Sequence, residues 1–224
     1  MMFVTARVCA KGLFNGHIAG SIINVTAAVT PKGERRRHAL IVAAADLLRE
    51  GGFDAVRHRA VARRAGLPLA STTYYFSSLE DLVVHAVEYT GALEAAQLAA
   101  RLAGLSRRRR GVEATADVLV DLLLGDCPPS EVSEELISRI ERYIACARHP
   151  WLRDVQRRIG EDRTAAVIEA IERCGRVVRP DRVKALTYAI DGAVVAALVD
   201  DGPNLRATVT AALIDVIDVL APLR

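Results

Sequence analysis

Four arginines and a histidine (Arg57, His58, Arg59, Arg63 and Arg64) stand just before the stretch Leu69-Ala70-Ser71-Thr72-Thr73-Tyr74, which is small or hydroxyl-bearing and free of carboxylates. Guanidinium groups neutralise phosphates and fork onto the O6 and N7 acceptors of guanine. Hydroxyls donate to phosphate oxygens, while Leu and Ala offer apolar contact to a thymine methyl. Together these are the parts of a surface that reads duplex DNA. Catalytic patterns are missing from the sequence: it has no Gly-rich phosphate loop, no HExxH spacing and no nucleophile elbow, and His85 and His149 have no partner positioned in sequence. The residues therefore point away from an enzyme, and they call for no metal and no cofactor.

Such a surface needs two helices meeting at a corner. Val61, Ala62 and Ala65 fall on one face of a short helix, about His58 to Ala65. Gly66 stands where a tight turn needs positive φ. Leu67 plugs the core behind the turn, and Pro68 opens a second helix over Leu69–Tyr75. Small Ala62 lets the two helices cross closely. In the second helix Thr72 and Tyr75 point inward, and Leu69, Ala70, Ser71, Thr73 and Tyr74 point outward. This is a helix-turn-helix, whose second helix enters the major groove. Ahead of it, Leu40, Ile41, Ala44, Leu47 and Leu48 predict a helix over Glu34–Glu50, closed by Gly51-Gly52. Arg35, Arg36 and Arg37 open that helix against its macrodipole, which suggests phosphate contact.

The segment resembles the DNA-binding domain of the TetR family of transcriptional regulators at Val61-Ala62, Ala65-Gly66-Leu67, Tyr74-Tyr75-Phe76 and Glu80-Asp81-Leu82, over about Glu34 to Glu94. The resemblance implies an all-α chain: an N-terminal three-helix DNA-binding domain followed by a C-terminal helical domain for ligand binding and dimerisation. It places Arg59 where the family has a base- or phosphate-contacting arginine. The expected DNA-contacting set is Arg35, Arg36, Arg57, His58, Arg59, Leu69, Ala70, Ser71, Thr73 and Tyr74. Three positions depart from the pattern. Arg57 replaces a capping Thr, Thr73 replaces a Tyr, and Leu79 replaces a phosphate-contacting Lys, which weakens the phosphate clamp or shifts it to Arg57, Arg63 and Arg64. The implied function is a cytoplasmic, dimeric regulator, a repressor released from a pseudo-palindromic operator by a small apolar ligand. The departures leave a second reading: a helical ligand-binding or partner protein without operator binding.

Charge follows the same division. Lys32 to Gly66 carries nine basic and four acidic residues, whereas Leu67 to Arg224 carries nineteen and twenty-three. A basic head on a mildly acidic body suits a DNA-binding module joined to a sensor. The domains are expected at 32–78 and 79–224. Residues 1–31, basic and then apolar, resemble a signal peptide. The DNA-reading motif downstream argues instead for a disordered arm or a start codon assigned too early. The apolar run Ile18–Val29 is too short and broken to span a bilayer, so no membrane role is expected. The four cysteines, at 9, 127, 146 and 174, have no CxxC or zinc-finger spacing and are read as reduced thiols.

In the body, helices are expected at about Leu79–Leu105, Val112–Leu124, Glu131–Arg148, Trp151–Cys174, Pro180–Asp200 and Leu205–Leu220. Turns are expected at Asp126–Ser130 and Asp201–Asn204. Leu82, Ala86, Tyr89, Leu93 and Ala96 form the stripe of the first, and Ser78 with Asp81 resembles a capping box. Arg107–Arg110 reads as a solvated basic loop. Facing apolar stripes suggest a pocket among Tyr89, Leu93, Leu119, Leu123, Leu136, Ile140, Tyr143, Trp151 and Val155, with Arg142, Cys146 and Gln156 as available polar anchors. The last two helices are apolar over so wide an arc that burial on more than one side is required. Leu186, Ile190, Val194, Leu198, Leu213, Val216, Ile217 and Leu220 are therefore expected at a homodimer interface.

Overall fold

The computed structural model describes residues 30–125, 134–198 and 205–224. Among them the chain forms nine α-helices: α1 (Pro31–Ala55), α2 (His58–Arg64), α3 (Ala70–Tyr75), α4 (Leu79–Gly104), α5 (Val112–Leu124), α6 (Glu134–Arg148), α7 (Arg153–Arg173), α8 (Val183–Ala197) and α9 (Leu205–Leu220). The fold class is all-α, as the sequence implies. A single antiparallel bridge, Arg176 to Leu223, is the β pairing among the described residues. The 1–29 segment, both anticipated turns, Cys9 and Cys127 lie outside them.

Local chemistry sets the ends of the helices. The first starts at Pro31, three residues before the predicted Glu34, because the Thr30 hydroxyl accepts from the Gly33 N–H at 3.2 Å and Pro occupies the first helical position. Gly52, at φ 65°, breaks its backbone where the sequence suggests, and one further turn carries the chain to Ala55. Ser78 caps α4 by accepting from the Asp81 N–H at 3.1 Å. The Asp81 carboxylate, however, takes the Ser77 N–H at 2.9 Å and the Ser77 hydroxyl at 3.0 Å, so the box closes one residue early. Short 3₁₀ turns at Pro150–Leu152 and Pro180–Arg182 precede α7 and α8 and shorten both predicted helices.

Two apolar cores result. The first joins Leu40, Ala44, Val61, Phe76, Leu82 and Ala86 to Ala145, Leu152 and Val155, so the end of α6 and the start of α7 pack onto the reading head. The second is built from α5, α8, α9 and the far ends of α4 and α7, around Leu119, Ile171, Leu186, Ile190, Leu213 and Ile217. The long α4 passes from one to the other. Its predicted stripe holds at Leu82 and Ala86, but Leu93 and Ala96 are exposed, and the buried positions beyond are Gly91, Leu98 and Leu102. The buried face rotates because α4 packs first on α1 and then on α7.

The Arg107–Arg110 loop is not wholly solvated. Arg107, Arg108 and Arg109 are exposed, but Arg110 is buried and donates to the Ser106 carbonyl at 3.0 Å. The backbone N–H groups of Arg108 and Arg110 donate to the Arg173 and Cys174 carbonyls, which pins the loop to the end of α7. Cys146 and Cys174 are free thiols.

Candidate nucleic-acid interface and sensor cavity

The corner between α2 and α3 forms as its residues dictate. Gly66 has φ 64°, and nothing stands within 4 Å of where its Cβ would be. Glycine is thus required there by backbone conformation and not by space. Leu67 N–H donates to the Ala62 carbonyl at 2.9 Å across the turn. Val61, Ala62 and Thr72 are buried, and the Thr72 hydroxyl donates back to the Leu69 carbonyl at 2.8 Å. Leu69, Ala70, Thr73 and Tyr74 are exposed, Tyr74 at 79%. Ser71 is half-buried. No carboxylate interrupts this face.

The cations divide into free and engaged. Arg35, Arg36, Arg59 and Arg63 are exposed and have no side-chain hydrogen bond or ion pair among the described residues. Arg64 is held by Glu50 through two bonds of 2.8 and 2.5 Å, which also hold the Glu50 carboxyl below its usual range. Arg57 leans on Asp54 at 3.4 Å. His58 is half-buried, and its Nδ1 has no partner. Arg37 turns inward: it lies over the Phe76 ring at 5.2 Å and donates to His85 Nε2 at 2.8 Å. Because an arginine only donates, that bond leaves the His85 proton on Nδ1, which faces Glu88 Oε2 at 3.1 Å. Glu88 in turn accepts from Arg158 of α7 at 2.8 Å, so a polar chain runs from α1 through α4 to α7.

Behind the head, α4, α5, α6 and α7 enclose a cavity of about 240 Å³ lined by Glu94, Gln97, Leu98, Arg101, Leu123, Leu124, Glu135, Leu136, Arg139 and Arg163. A second, of about 160 Å³, adjoins it toward α1 and takes in Tyr89, Leu93 and Arg142. Of the residues expected to line a pocket, Leu123 and Leu136 border the first cavity, and Tyr89 and Leu93 the second. Leu119, Ile140, Tyr143, Trp151 and Val155 border neither. Leu119 and Val155 are core, while Trp151 is partly exposed beside His149. The lining of the first cavity is not mainly apolar, and one buried arginine stands at each. Arg142 is buried, bonded to Glu94 Oε1 at 2.5 Å and to Gln156 Oε1 at 3.3 Å. Arg163 is buried, 2.6 Å from Asp191 and 3.2 Å from the Tyr143 hydroxyl. Burial works against the Arg163 charge, but the hydrogen bond and charge of Asp191 outweigh it and raise the pKa. Arg142 is one of the polar anchors the sequence offers; Arg139 and Arg163 are not legible as inward-facing, because arginine in a helix ordinarily marks the solvent side. The steep amphipathicity of α6, with Leu136, Arg139 and Ile140 in successive turns, was the one available signal. Cys146 lines neither cavity, and burial pushes its thiol pKa up.

The apolar faces of α8 and α9 also distribute differently from expectation. Leu186, Ile190, Val194, Leu213 and Ile217 are buried inside the single chain, and Leu198, Val216 and Leu220 are half-buried. The two helices pack on each other and on α5, which covers that side. What stays uncovered is the opposite side, with Tyr188 at 67%, Val195 at 44% and Val219 at 75% exposure.

Comparison with known proteins agrees with this architecture. Residues 40–86 match the family described as bacterial regulatory proteins, tetR family, and residues 110–219 match the tetracyclin repressor-like C-terminal domain. Among solved structures, the multidrug binding protein EbrR in complex with proflavin is similar at 29% identity, covering 81% of this chain and 99% of its own, with a TM-score of 0.63. A protein described as the transcriptional regulator SCO7518 of Streptomyces coelicolor A3(2) is similar at 26% identity, with 81% and 98% coverage and a TM-score of 0.63. SCO1917, a TetR-family member from Streptomyces coelicolor A3, is similar at 29% identity, with 80% and 95% coverage and a TM-score of 0.57. No curated protein sequence matches the chain. Among the described residues no helix is long and apolar enough to cross a membrane. With a reading head matched at one end, a sensor domain at the other and the all-α frame between them, the chain belongs to the TetR family of DNA-binding transcriptional regulators with a ligand-binding domain.

Proposed function

We propose that the protein is a homodimeric repressor, released from a pseudo-palindromic operator when a small molecule enters the body. The observation carrying this reading is the α3 face: exposed, free of carboxylates and flanked by the unpaired Arg35, Arg36, Arg59 and Arg63. Two copies would have to present their α3 helices about 34–36 Å apart, one turn of DNA, or a multiple of that. The sensor role is supported by EbrR, a multidrug binding protein seen with proflavin and with ethidium. The route to the head is α6. It carries Arg139 and Arg142 to the cavities and Ala145 to the head core, and Glu141 lies against Gly52 of α1. A ligand that fits one arrangement of α4 and α6 better than another would shift the separation of the heads by its differential affinity, typically about 1–3 kcal/mol.

Gel shifts against DNA flanking the coding region test the reading. Binding should prefer one pseudo-palindrome and weaken steeply with salt. Arg59→Ala should cost about 1–3 kcal/mol and relax one base position. Salt-insensitive or sequence-indifferent binding would favour the helical partner protein that does not read an operator.

The uncovered side of α8 and α9 is the proposed dimer face. Val195→Asp and Val219→Asp should shift sedimentation from dimer to monomer while the helical circular dichroism is kept, because both side chains are exposed in the single chain. Val194→Asp should instead unfold the chain, since Val194 is 1% exposed. A dimer that survives both surface substitutions would place the interface elsewhere.

A further inference from the structure

One buried cation in the cavity has no ion-pair partner. Arg163 is matched by Asp191 and Arg142 by Glu94. The side chain of Arg101 donates to the Leu122 carbonyl at 2.8 Å. Arg139 forms no ion pair among the described residues and makes one long contact, 3.5 Å, to the Leu123 carbonyl. Its Nε and one of its Nη atoms are shut off from solvent with nothing to donate to. A buried guanidinium without an acceptor is costly. Burial and the nearby Arg163 charge pull its pKa down to about 10, which still leaves it cationic at neutral pH. Glu135, one turn earlier on α6, lines the same cavity but is exposed and does not reach Arg139 within ion-pair distance.

We infer that this cavity is the sensor site and that it takes a small organic monocarboxylate, its carboxylate on the Arg139 guanidinium and its apolar body against Leu98, Leu123, Leu124 and Leu136. The inference rests on the ligand-responsive reading above and deepens it. A planar carboxylate matches two parallel N–H groups of a guanidinium, and Arg139 has an Nε and an Nη without an acceptor, which the side chain must turn to present to the cavity. A single negative charge balances the single buried cation that lacks an ion pair. A phosphate dianion would bring a second charge toward Glu94 and Glu135. A cation would meet Arg139 unshielded, so an amphipathic anion is favoured over the small apolar ligand that the sequence suggests. The volume, about 240 Å³, limits the body to roughly an aryl ring or a short alkyl chain.

The test uses the full-length protein and follows thermal unfolding with benzoate, phenylacetate and hexanoate at millimolar concentration, beside benzamide, phenyl phosphate and ethidium. At least one carboxylate should raise the melting temperature, and the amide, the phosphate and the cation should not. Arg139→Met should weaken that carboxylate roughly a hundredfold while raising the melting temperature of the ligand-free protein, because an unpaired buried cation has been removed. Arg139→Lys, which keeps the charge but loses the fork, should fall between and serves if the Met variant does not fold. Arg107→Met, at an exposed arginine, should leave the shift intact. If no carboxylate stabilises the protein, if the amide or the phosphate does so equally, or if the shift survives both Arg139 substitutions, the assignment fails. Operator binding is not read in this assay, so its failure and that of the regulator reading are separable.

Discussion

Glu94→Ala is expected to lower the stability of the chain by about 3–5 kcal/mol, the usual cost of leaving one member of a buried ion pair alone. The Arg142 side chain is 4% exposed and its Nη2 lies 2.5 Å from Glu94 Oε1. Without Glu94 its remaining side-chain partner is Gln156, at 3.3 Å, and Nη1 already has none. The pair also joins α4 to α6, with α7 attached through Gln156, so its loss should loosen the wall shared by the two cavities. Arg142→Met in the same chain should recover most of the loss, because the stranded buried charge is gone. Urea unfolding followed by circular dichroism at fixed protein concentration reads both effects. A loss under about 1 kcal/mol for the single substitution would mean that the pair behaves like a solvated surface contact, and the claim of a buried network would fall.

The same pair marks where the sequence stops being legible. The reading head was readable because its demands are local: Gly66 needs positive φ, Val61 and Ala62 need one face, and Ser78 needs a free N–H to cap. Each is a statement about neighbours within four residues. The limits of α5 and α9 were readable for the same reason. The α8–α9 pair was not, because an apolar arc announces that burial is needed without saying against what. Leu186, Ile190, Val194, Leu213 and Ile217 are covered by α5 and by each other, and the side left uncovered carries Tyr188, Val195 and Val219. Least readable were Arg110, Arg163 and Arg176, each under 8% exposed, while the sequence offers Arg142 as a pocket anchor without its Glu94 partner. Each is compensated by an acceptor at least two residues away in sequence and in most cases dozens: Glu94 for Arg142, Asp191 for Arg163, Asp218 for Arg176. Nothing within one helical turn distinguishes such an arginine from a solvated one.

The polar links have a mechanical consequence. Arg37–His85–Glu88–Arg158 and Glu94–Arg142–Gln156 both run from α4 to α7, and they straddle the point where α4 leaves the head core for the body core. Hydrogen-bonded charges hold one geometry well and intermediate geometries poorly. A displacement of α6 by a ligand on Arg139 would be felt at Arg142, three residues on, and through Glu94 on α4. The head would follow α4 because Leu82, Val83, Ala86 and Val87 are buried in its core.

The pivot of that motion should be Gly91, and a double-mutant cycle with Ile159 is expected to show it as a coupling of about 2 kcal/mol. Gly91 is buried in α4 directly against α7, and a Cβ built there would fall 2.5 Å from Ile159 Cγ1 and 2.6 Å from Cδ1. Two effects oppose each other in Gly91→Ala. Helix propensity favours Ala by about 1 kcal/mol. Overpacking a close crossing costs about 1–3 kcal/mol, because Ile159 must leave its rotamer or α4 must move away from α7. The overlap reaches Cγ1, bonded to the branched Cβ of Ile159, and not just the terminal methyl, so overpacking should win and Gly91→Ala should destabilise by about 1 kcal/mol. In an Ile159→Ala background the obstruction is gone, and the same Gly91→Ala should stabilise by about 1 kcal/mol. The reversal of sign is the diagnostic. Equal stabilisation in both backgrounds would mean that Ile159 swings aside freely and that the crossing is not tight, and Gly91 would then be an ordinary helical glycine with no claim to be the point about which α4 turns.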